Sequence, residues 1–189
     1  MTKRVLAFLA VSLLAACMSL PGSNSTPAAR YMLSGKDANC SDGERPLSLT
    51  VTTVGAGLDS DRIARRNADT GEFYYLKGVS WIEATDSMVE QRLAADLECS
   101  GYTVITSHHR MLRQDQLVCE VRALNLLQSK GQNEAEVALS CVLFAVGSES
   151  LSLRVQQSAK LERWSTGAAV AALSRAYQQA FAELAARLP

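Results

Sequence analysis

Apolar and polar residues alternate along several short segments, and this pattern predicts β-strands. In residues 46–54, Leu47, Leu49 and Val51 fall on one side and hydroxyl-bearing residues on the other. Similar short patterns predict strands at 31–34, 62–65, 72–76 and 102–105. Because the turn-rich residues 67–71 separate two of these strands, we expect a β-hairpin there.

Three longer alternating segments follow, at residues 116–126, 135–146 and 151–161. Each has an apolar side, and we expect these sides to share one buried face: Leu117, Cys119, Val121 and Ala123; Val137, Leu139, Cys141 and Leu143; Leu151, Leu153 and Val155. Short connections between successive segments favour antiparallel pairing.

Two segments carry the periodicity of amphipathic helices. In residues 84–98, Val89, Leu93 and Leu97 recur every four positions, with a cap expected from Ser87 and Glu90 or from a neighbouring polar residue. The stripe in residues 166–188 comprises Leu173, Tyr177, Phe181, Leu184 and Leu188. The prediction is an α/β (α+β) two-layer sandwich, with a mostly antiparallel sheet and two main helices packed on it.

The N-terminus has the pattern of an export signal. Lys3 and Arg4 precede twelve apolar or small residues, too few to span about 30 Å of hydrocarbon as a helix. The run ends in Leu14-Ala15-Ala16-Cys17, which resembles the lipobox of bacterial lipoproteins. An ordinary signal peptide with a nearby cysteine is the alternative.

The lipobox resemblance implies that residues 1–16 are removed and that acyl chains on Cys17 anchor the protein to a membrane. Met18, in place of an aspartate, implies the inner leaflet of the outer membrane, with the domain in the periplasm. Residues 17–30, polar and without periodicity, are expected to form a flexible tether. Residues 31–189 are expected to form a single domain.

Composition excludes some classes of function. The chain has 19 basic and 19 acidic residues, so its net charge does not favour nucleic acid binding. Hydrophobic residues make up 48%, enough to build a core. Removal of residues 1–16 leaves 17 basic and 19 acidic residues, so the mature protein is close to neutral.

Four cysteines besides Cys17 lie in the predicted domain, where an oxidising compartment allows three pairings. A turn centred near Lys130 places Cys119 opposite Cys141 in a hairpin, within disulfide distance. Cys40 and Cys99 then form the remaining candidate pair. Buried free thiols are the alternative, and the absence of a CxxC motif argues against a metal site.

The sequence contains no recognisable catalytic constellation. Gly55-Ala56-Gly57 lacks the third glycine of a dinucleotide-binding loop, and adjacent His108 and His109 would point in different directions. Trp81 and Trp164 are expected to serve packing. We therefore predict no catalytic residues, no metal and no cofactor.

A cluster of arginines around one predicted strand is the candidate interface, although a solvated, charged strand end is the alternative reading. The candidate residues are the arginines Arg62, Arg65 and Arg66 together with Ile63, which lies among them.

The layout resembles the ABC-type transport auxiliary lipoprotein family, whose members accompany MCE-type envelope lipid transporters, including the paraquat-inducible system. The similarity lies in the order and spacing of Cys17, Tyr31-Met32-Leu33, Gly57-Leu58-Asp59-Ser60-Asp61-Arg62-Ile63-Ala64, Tyr74-Tyr75, Val79-Ser80-Trp81, Met88-Val89 and Ala168-Ala169-Val170-Ala171-Ala172-Leu173. Ile82-Glu83 departs from the pattern, since relatives often have two small residues and a proline there.

The resemblance implies a two-layer α/β domain without catalytic residues. It also implies an MCE-domain protein and ABC transporter subunits as partners, with homo-oligomerisation left open. Two functions follow: a membrane-anchored, non-catalytic tethering subunit of a transporter for lipids or other hydrophobic compounds, or a stand-alone lipid-binding lipoprotein. A cavity of about 300 to 1,000 Å³ between helices and sheet would favour the second.

Overall fold

The computed structural model describes residues 29–35, 40, 43–55, 57–106, 114–129 and 132–189. The strands are β1 Ala29–Tyr31, β2 Arg45–Thr53, β3 Arg62–Asn67, β4 Phe73–Trp81, β5 Tyr102–Thr106, β6 Asp115–Ser129, β7 Gln132–Phe144 and β8 Leu151–Lys160. The helices are α1 Thr85–Glu98 and α2 Thr166–Arg187. The predicted elements are present, but the first strand begins two residues earlier than expected and ends at Tyr31.

The long strand β6 is the centre of an eight-stranded sheet within the described residues. One edge of β6 pairs antiparallel with β7, which in turn pairs with β8. The other edge pairs with β2 over residues 115–121 and with β3 over residues 125–128. Strand β5 continues the sheet beyond β2, and β4 and β1 continue it beyond β3.

The prediction of a mostly antiparallel sheet is wrong. Strands β2 and β3 both run parallel to β6, β5 runs parallel to β2, and β1 runs parallel to β4. The chain is of the α/β class, with a mixed sheet whose centre is largely parallel. Alternation tells which side chains share a face but not which strand lies alongside, because that depends on long-range connections.

A β-bulge at Arg122 changes the buried face of β6. Before it, Leu117, Cys119 and Val121 pair with inward residues of β7; after it, the inward residues are Leu124 and Leu126. Ala123, which was expected on the inward face, instead pairs with Ala138 on the other face. One extra residue in a strand produces this change of face.

Both helices contribute to one hydrophobic core. Helix α1 packs on β2 and β5, and α2 packs on β6, β7 and β8. The predicted helix stripes supply fully buried side chains, among them Leu93, Leu97, Leu173, Tyr177 and Leu184. Because none of these side chains has exposed surface, the layer between helices and sheet is closely filled.

The helices begin differently. Ser165 caps α2, its Oγ accepting a hydrogen bond from the Ala168 N–H at 3.1 Å. Helix α1 begins after Ala84 without a side-chain cap, so the expected capping box is wrong. Thr85 instead donates from its Oγ1 to the Ser60 carbonyl at 2.9 Å, which fixes the helix start to the loop before β3.

Candidate functional site

The hairpin β3–β4 carries the three arginines that the sequence singled out, and the structure divides them between its two faces. Arg65 lies opposite Leu126 of β6, on the face that the helices cover. Arg66 lies opposite Leu127, on the face away from the helices, and Arg62 is on that same side by alternation. The three arginines therefore lie on two faces of the sheet and do not form a single contact surface.

Ile63, the fourth candidate, has no exposed surface and belongs to the hydrophobic core. Side chains of a strand point alternately to its two faces, and the Ile63 side chain points toward the hydrophobic core. We therefore remove Ile63 from the candidate contact surface.

On the helix side of the hairpin, Arg65 contacts an aromatic ring from a distant part of the chain. Its guanidinium carbon lies 4.6 Å from the ring centroid of Trp164, and its Nη2 donates to Oε1 of Gln128. Trp164 is 44% exposed, in contrast to Trp81, which is 1% exposed and lies in the core. This cation–π contact orients the indole at the protein surface.

Next to Arg65, Tyr74 and Glu72 form an exposed hydrogen-bonded pair. The Tyr74 hydroxyl donates to Glu72 Oε2 at 2.6 Å, and Thr70 Oγ1 donates to the same oxygen at 3.0 Å. The hydrogen bond from Tyr74, followed by that from Thr70, lowers the pKa of Glu72. The same bond raises the pKa of Tyr74. Both effects keep the carboxylate ionised and the phenol neutral near neutral pH.

On the other side, Arg62 stacks on an aromatic ring of the neighbouring strand. Its guanidinium carbon lies 4.0 Å from the ring centroid of Tyr75. Gly57, from the glycine-containing segment, has a φ of +85° and lies against Tyr75 and Phe73, where a Cβ would be 3.1 Å from the Tyr75 hydroxyl. This glycine allows a close turn over the hairpin and forms no part of a phosphate-binding loop.

Two disulfides join the four cysteines of the domain. Cys119 and Cys141 are opposite each other in the register of β6 and β7 and are bonded. Cys40 is bonded to Cys99 at the end of α1. The first pair is buried in the core, whereas Cys40 is half-buried, Cys99 is exposed, and both line a surface cleft.

A buried polar cluster lies between the two helices. Arg92 Nε donates to Asp96 Oδ2 at 3.0 Å, one helical turn away on α1. Tyr177 of α2 is fully buried nearby, and this burial, reinforced by the negative charge of Asp96, raises the pKa of its hydroxyl well above the usual value. Arg92 and Asp96 are paired with each other, and both lie close enough to Tyr177 to affect its pKa.

Three clefts in the described part of the chain open at the surface. A cleft of about 460 Å³ is lined by Cys40, Asp96, Cys99, Ser100, Gln178, Phe181 and Ala182. The second, of about 560 Å³, is lined by Lys160, Leu161, Glu162, Arg163, Ala168 and Arg175. A third, of about 230 Å³, lies beside Met32, Ile82 and Met88. Each cleft includes charged or polar side chains, such as Asp96, Glu162 and Arg92.

Other predicted features fall outside the described residues. Cys17, most of the predicted tether, His108 and His109 are among them. Within the described residues, no group of three or more His, Cys, Asp or Glu side chains is arranged to hold a metal. No described helix has the length and apolar character needed to cross a membrane.

Comparison with solved structures shows that the fold recurs. One relative is the crystal structure of an uncharacterized protein, 16% identical, with a TM-score of 0.69 over 85% of this chain and 98% of that one. Another is a protein from Xanthomonas campestris, 19% identical, with a TM-score of 0.61 over 84% and 90% of the two chains. No curated protein matches the sequence.

The sequence also matches a family model directly. The model is that of the ABC-type transport auxiliary lipoprotein component, and it covers residues 31–188, from the end of β1 past the end of α2. The resemblance noted in the sequence is confirmed, and the chain belongs to the ABC-type transport auxiliary lipoprotein family.

Proposed function

We propose that the protein is the lipid-anchored, non-catalytic adaptor of an envelope transporter for lipids or other hydrophobic compounds, with its domain in the periplasm. The family consists of lipoprotein components of ABC-type transport, which supports a place in the cell envelope. The lipobox-like Leu14-Ala15-Ala16-Cys17 supports anchoring through Cys17, and Met18 supports the outer membrane.

The filled layer between helices and sheet is the observation that carries the choice of adaptor over carrier. Leu49 and Leu117 of the sheet, and Leu93 and Tyr177 of the helices, are all fully buried there. A carrier would need an apolar cavity of several hundred Å³ at this place. The described clefts lie at the surface and include charged or polar residues such as Asp96 and Gln178.

The arrangement of polar groups supports a role without catalysis. The two buried carboxylates among the described residues, Asp96 and Glu136, are each paired with an arginine, Arg92 and Arg66. A general base or nucleophile needs access to a substrate, which these paired groups in the core and the sheet lack.

The first experiment tests the anchor. Replacing residues 1–17 with a cleavable signal peptide that contains no lipobox removes both the acylated thiol and the apolar run, so the variant should appear in the soluble periplasmic fraction while the native protein stays with membranes at high salt. Retention of this variant in the membrane at high salt would contradict lipid anchoring.

The second experiment tests the adaptor role. The protein should be recovered with an MCE-domain protein of the same envelope after affinity purification. Arg62→Glu should reduce this recovery if the hairpin is the contact surface, whereas Arg154→Glu, the same charge change at an exposed position on β8, should leave it intact. Equal recovery of both variants would remove the hairpin from the interface.

A third measurement separates the adaptor from the stand-alone carrier. Organic extraction of the purified domain should yield no stoichiometric lipid, because the layer between helices and sheet is occupied by side chains. Recovery of about one lipid per chain, together with no binding to an MCE-domain protein, would favour the carrier.

A further inference from the structure

Several strands end together at one end of the molecule. Because β3 and β8 run in the same direction as β6, their last residues, Asn67, Lys160 and Ser129, lie toward the same end of the sheet. Strand β4 and helix α2 begin there. We call this the aromatic end, for the three exposed rings that it carries: Phe73, Tyr74 and Trp164.

The exposed rings at the aromatic end have the chemistry of a membrane interface. Phe73, Tyr74 and Trp164 are 42%, 48% and 44% exposed. Tyr and Trp combine an apolar ring with a polar edge, and they concentrate where lipid headgroups meet hydrocarbon. Arg65, stacked on Trp164, adds a positive charge beside the ring.

Basic side chains lie next to Trp164. The cleft of about 560 Å³ is lined by Lys160, Arg163 and Arg175, with Glu162 as its one acidic residue. All three basic residues are exposed. Cations near an anionic membrane surface are attracted to its phosphate groups.

The position of β1 sets where the tether joins the domain. Ala29 lies beside Val79 and Tyr31 beside Trp81, so β1 runs parallel to β4 and away from the aromatic end. Val79 is six residues beyond Phe73, so Ala29 lies about 20 Å from the aromatic end along the strand. Eleven residues separate Cys17 from Ala29, a distance of about 40 Å at full extension.

We propose that the aromatic end rests on the phospholipid headgroups of the leaflet that holds the lipid anchor. The inference depends on the proposed anchor at Cys17. The tether, about 40 Å at full extension, is longer than the distance of about 20 Å from Ala29 to the aromatic end, so an anchored chain allows the rings and the basic cleft to contact headgroups. The opposite end, with exposed Phe144 and Val146 where β7 ends, then faces away from the membrane.

The two tryptophans allow a direct test, because Trp164 is exposed and Trp81 is buried. The mature lipidated chain is reconstituted in vesicles of phosphatidylethanolamine and phosphatidylglycerol that contain a lipid with a nitroxide on its headgroup. Fluorescence is compared with that in unlabelled vesicles. The matched control is the Trp164→Phe, Phe144→Trp double variant, since Phe144 is 49% exposed at the opposite end.

The native protein should lose fluorescence in the labelled vesicles, and the double variant should retain it. Lys160→Glu with Arg163→Glu should reduce the loss, with an unchanged circular dichroism spectrum as evidence of folding. Equal loss in native protein and double variant, a larger loss in the double variant, or no loss in protein that floats with the vesicles would overturn the orientation. Failure of the native protein to float with the vesicles would overturn the anchor itself.

Discussion

Arg66 and Glu136 meet across the central strand of the sheet, although they belong to strands on its opposite edges. Arg66 Nη2 lies 3.3 Å from Glu136 Oε2, above β6, which separates β3 from β7. Asn125 of β6 donates to the same oxygen at 3.3 Å, and Gln156 of β8 donates to Oε1 at 2.8 Å. One carboxylate thus connects four strands on the face that the helices leave open.

The network predicts unequal costs for its two charged members. The Glu136 side chain is 9% exposed, and Glu136→Ala leaves the buried Asn125 amide without its acceptor, so we expect a loss of about 1 to 3 kcal/mol. Arg66 is 40% exposed, and Arg66→Ala leaves Glu136 with two amide donors, so the loss should be about 1 kcal/mol or less. Urea unfolding measures both.

The control for this pair is Arg122→Ala, which removes an ion pair with Glu120 whose side chains are 51% and 38% exposed. Its effect should be close to zero. A larger loss for Arg66→Ala than for Glu136→Ala would mean that the ion pair, rather than the buried amide contacts, stabilises this face.

Features that depend on nearby residues could be predicted from the sequence. Strands β6 and β7 are close neighbours in the chain, and Leu117 is opposite Leu143, as counting from a turn near Lys130 predicted. The stripes of both helices follow from the same local periodicity. Such features need only a window of about twenty residues.

Features that depend on distant strands could not be predicted in this way. The contact between Arg66 and Glu136 requires β3 to lie parallel to β6, and strand periodicity is the same for either direction. The contact between Arg65 and Trp164 likewise joins distant segments. Helix α1 gives no such signal, because β4 and β5, the strands that it connects, run in opposite directions.

The two disulfides should differ in their rates of reduction. Cys40 and Cys99 line a cleft, whereas Cys119 and Cys141 are 0% and 1% exposed. Under native conditions a dithiol should therefore reduce Cys40–Cys99 first, because exchange requires direct attack on a sulfur atom. Alkylation at successive times, followed by peptide mass spectrometry, measures the order. Simultaneous appearance of all four thiols would show that unfolding precedes reduction.

Loss of each disulfide should also lower stability by different amounts. The bonds close loops with separations of 59 residues for Cys40–Cys99 and 22 for Cys119–Cys141. Chain entropy alone gives about 4 and 3 kcal/mol. Because the hairpin already holds Cys119 near Cys141, replacing this pair with Ala should cost less than its estimate. In thermal unfolding, the Cys40→Ala, Cys99→Ala variant should therefore unfold at a lower temperature than the Cys119→Ala, Cys141→Ala variant. The reverse ranking would contradict the prediction.

Tyr177 makes the stability of the fold sensitive to alkaline pH. Its pKa is raised in the folded state by burial first and by the Asp96 carboxylate second, whereas in the unfolded chain it is about 10. Above that pH the unfolded state loses its proton while the folded state keeps it, so stability falls as pH rises.

Tyr177→Phe should flatten the decline measured by urea unfolding above about pH 10. Tyr74→Phe is the comparison: the hydroxyl of Tyr74 is exposed and its pKa is raised less, so this variant should flatten the decline less. An unaltered slope in Tyr177→Phe would contradict the prediction.

The bulge at Arg122 gives a prediction about deletions. Val121 pairs with Leu139 and Ala123 pairs with Ala138, so Arg122 is the unpaired extra residue. Its deletion should therefore restore a regular ladder while Leu124 and Leu126 keep their inward positions, at the cost of the local bend. Deletion of Glu120, two positions earlier, is absorbed by the bulge only if Val121 turns outward and Arg122 turns into the core, because side chains alternate with a period of two.

We expect the Arg122 deletion to fold with a cooperative urea transition. The Glu120 deletion should lose several kcal/mol, because Val121 leaves the core and the Arg122 charge enters it without a partner. Equal tolerance of the two deletions would mean that the register of β6 is set elsewhere than at Arg122.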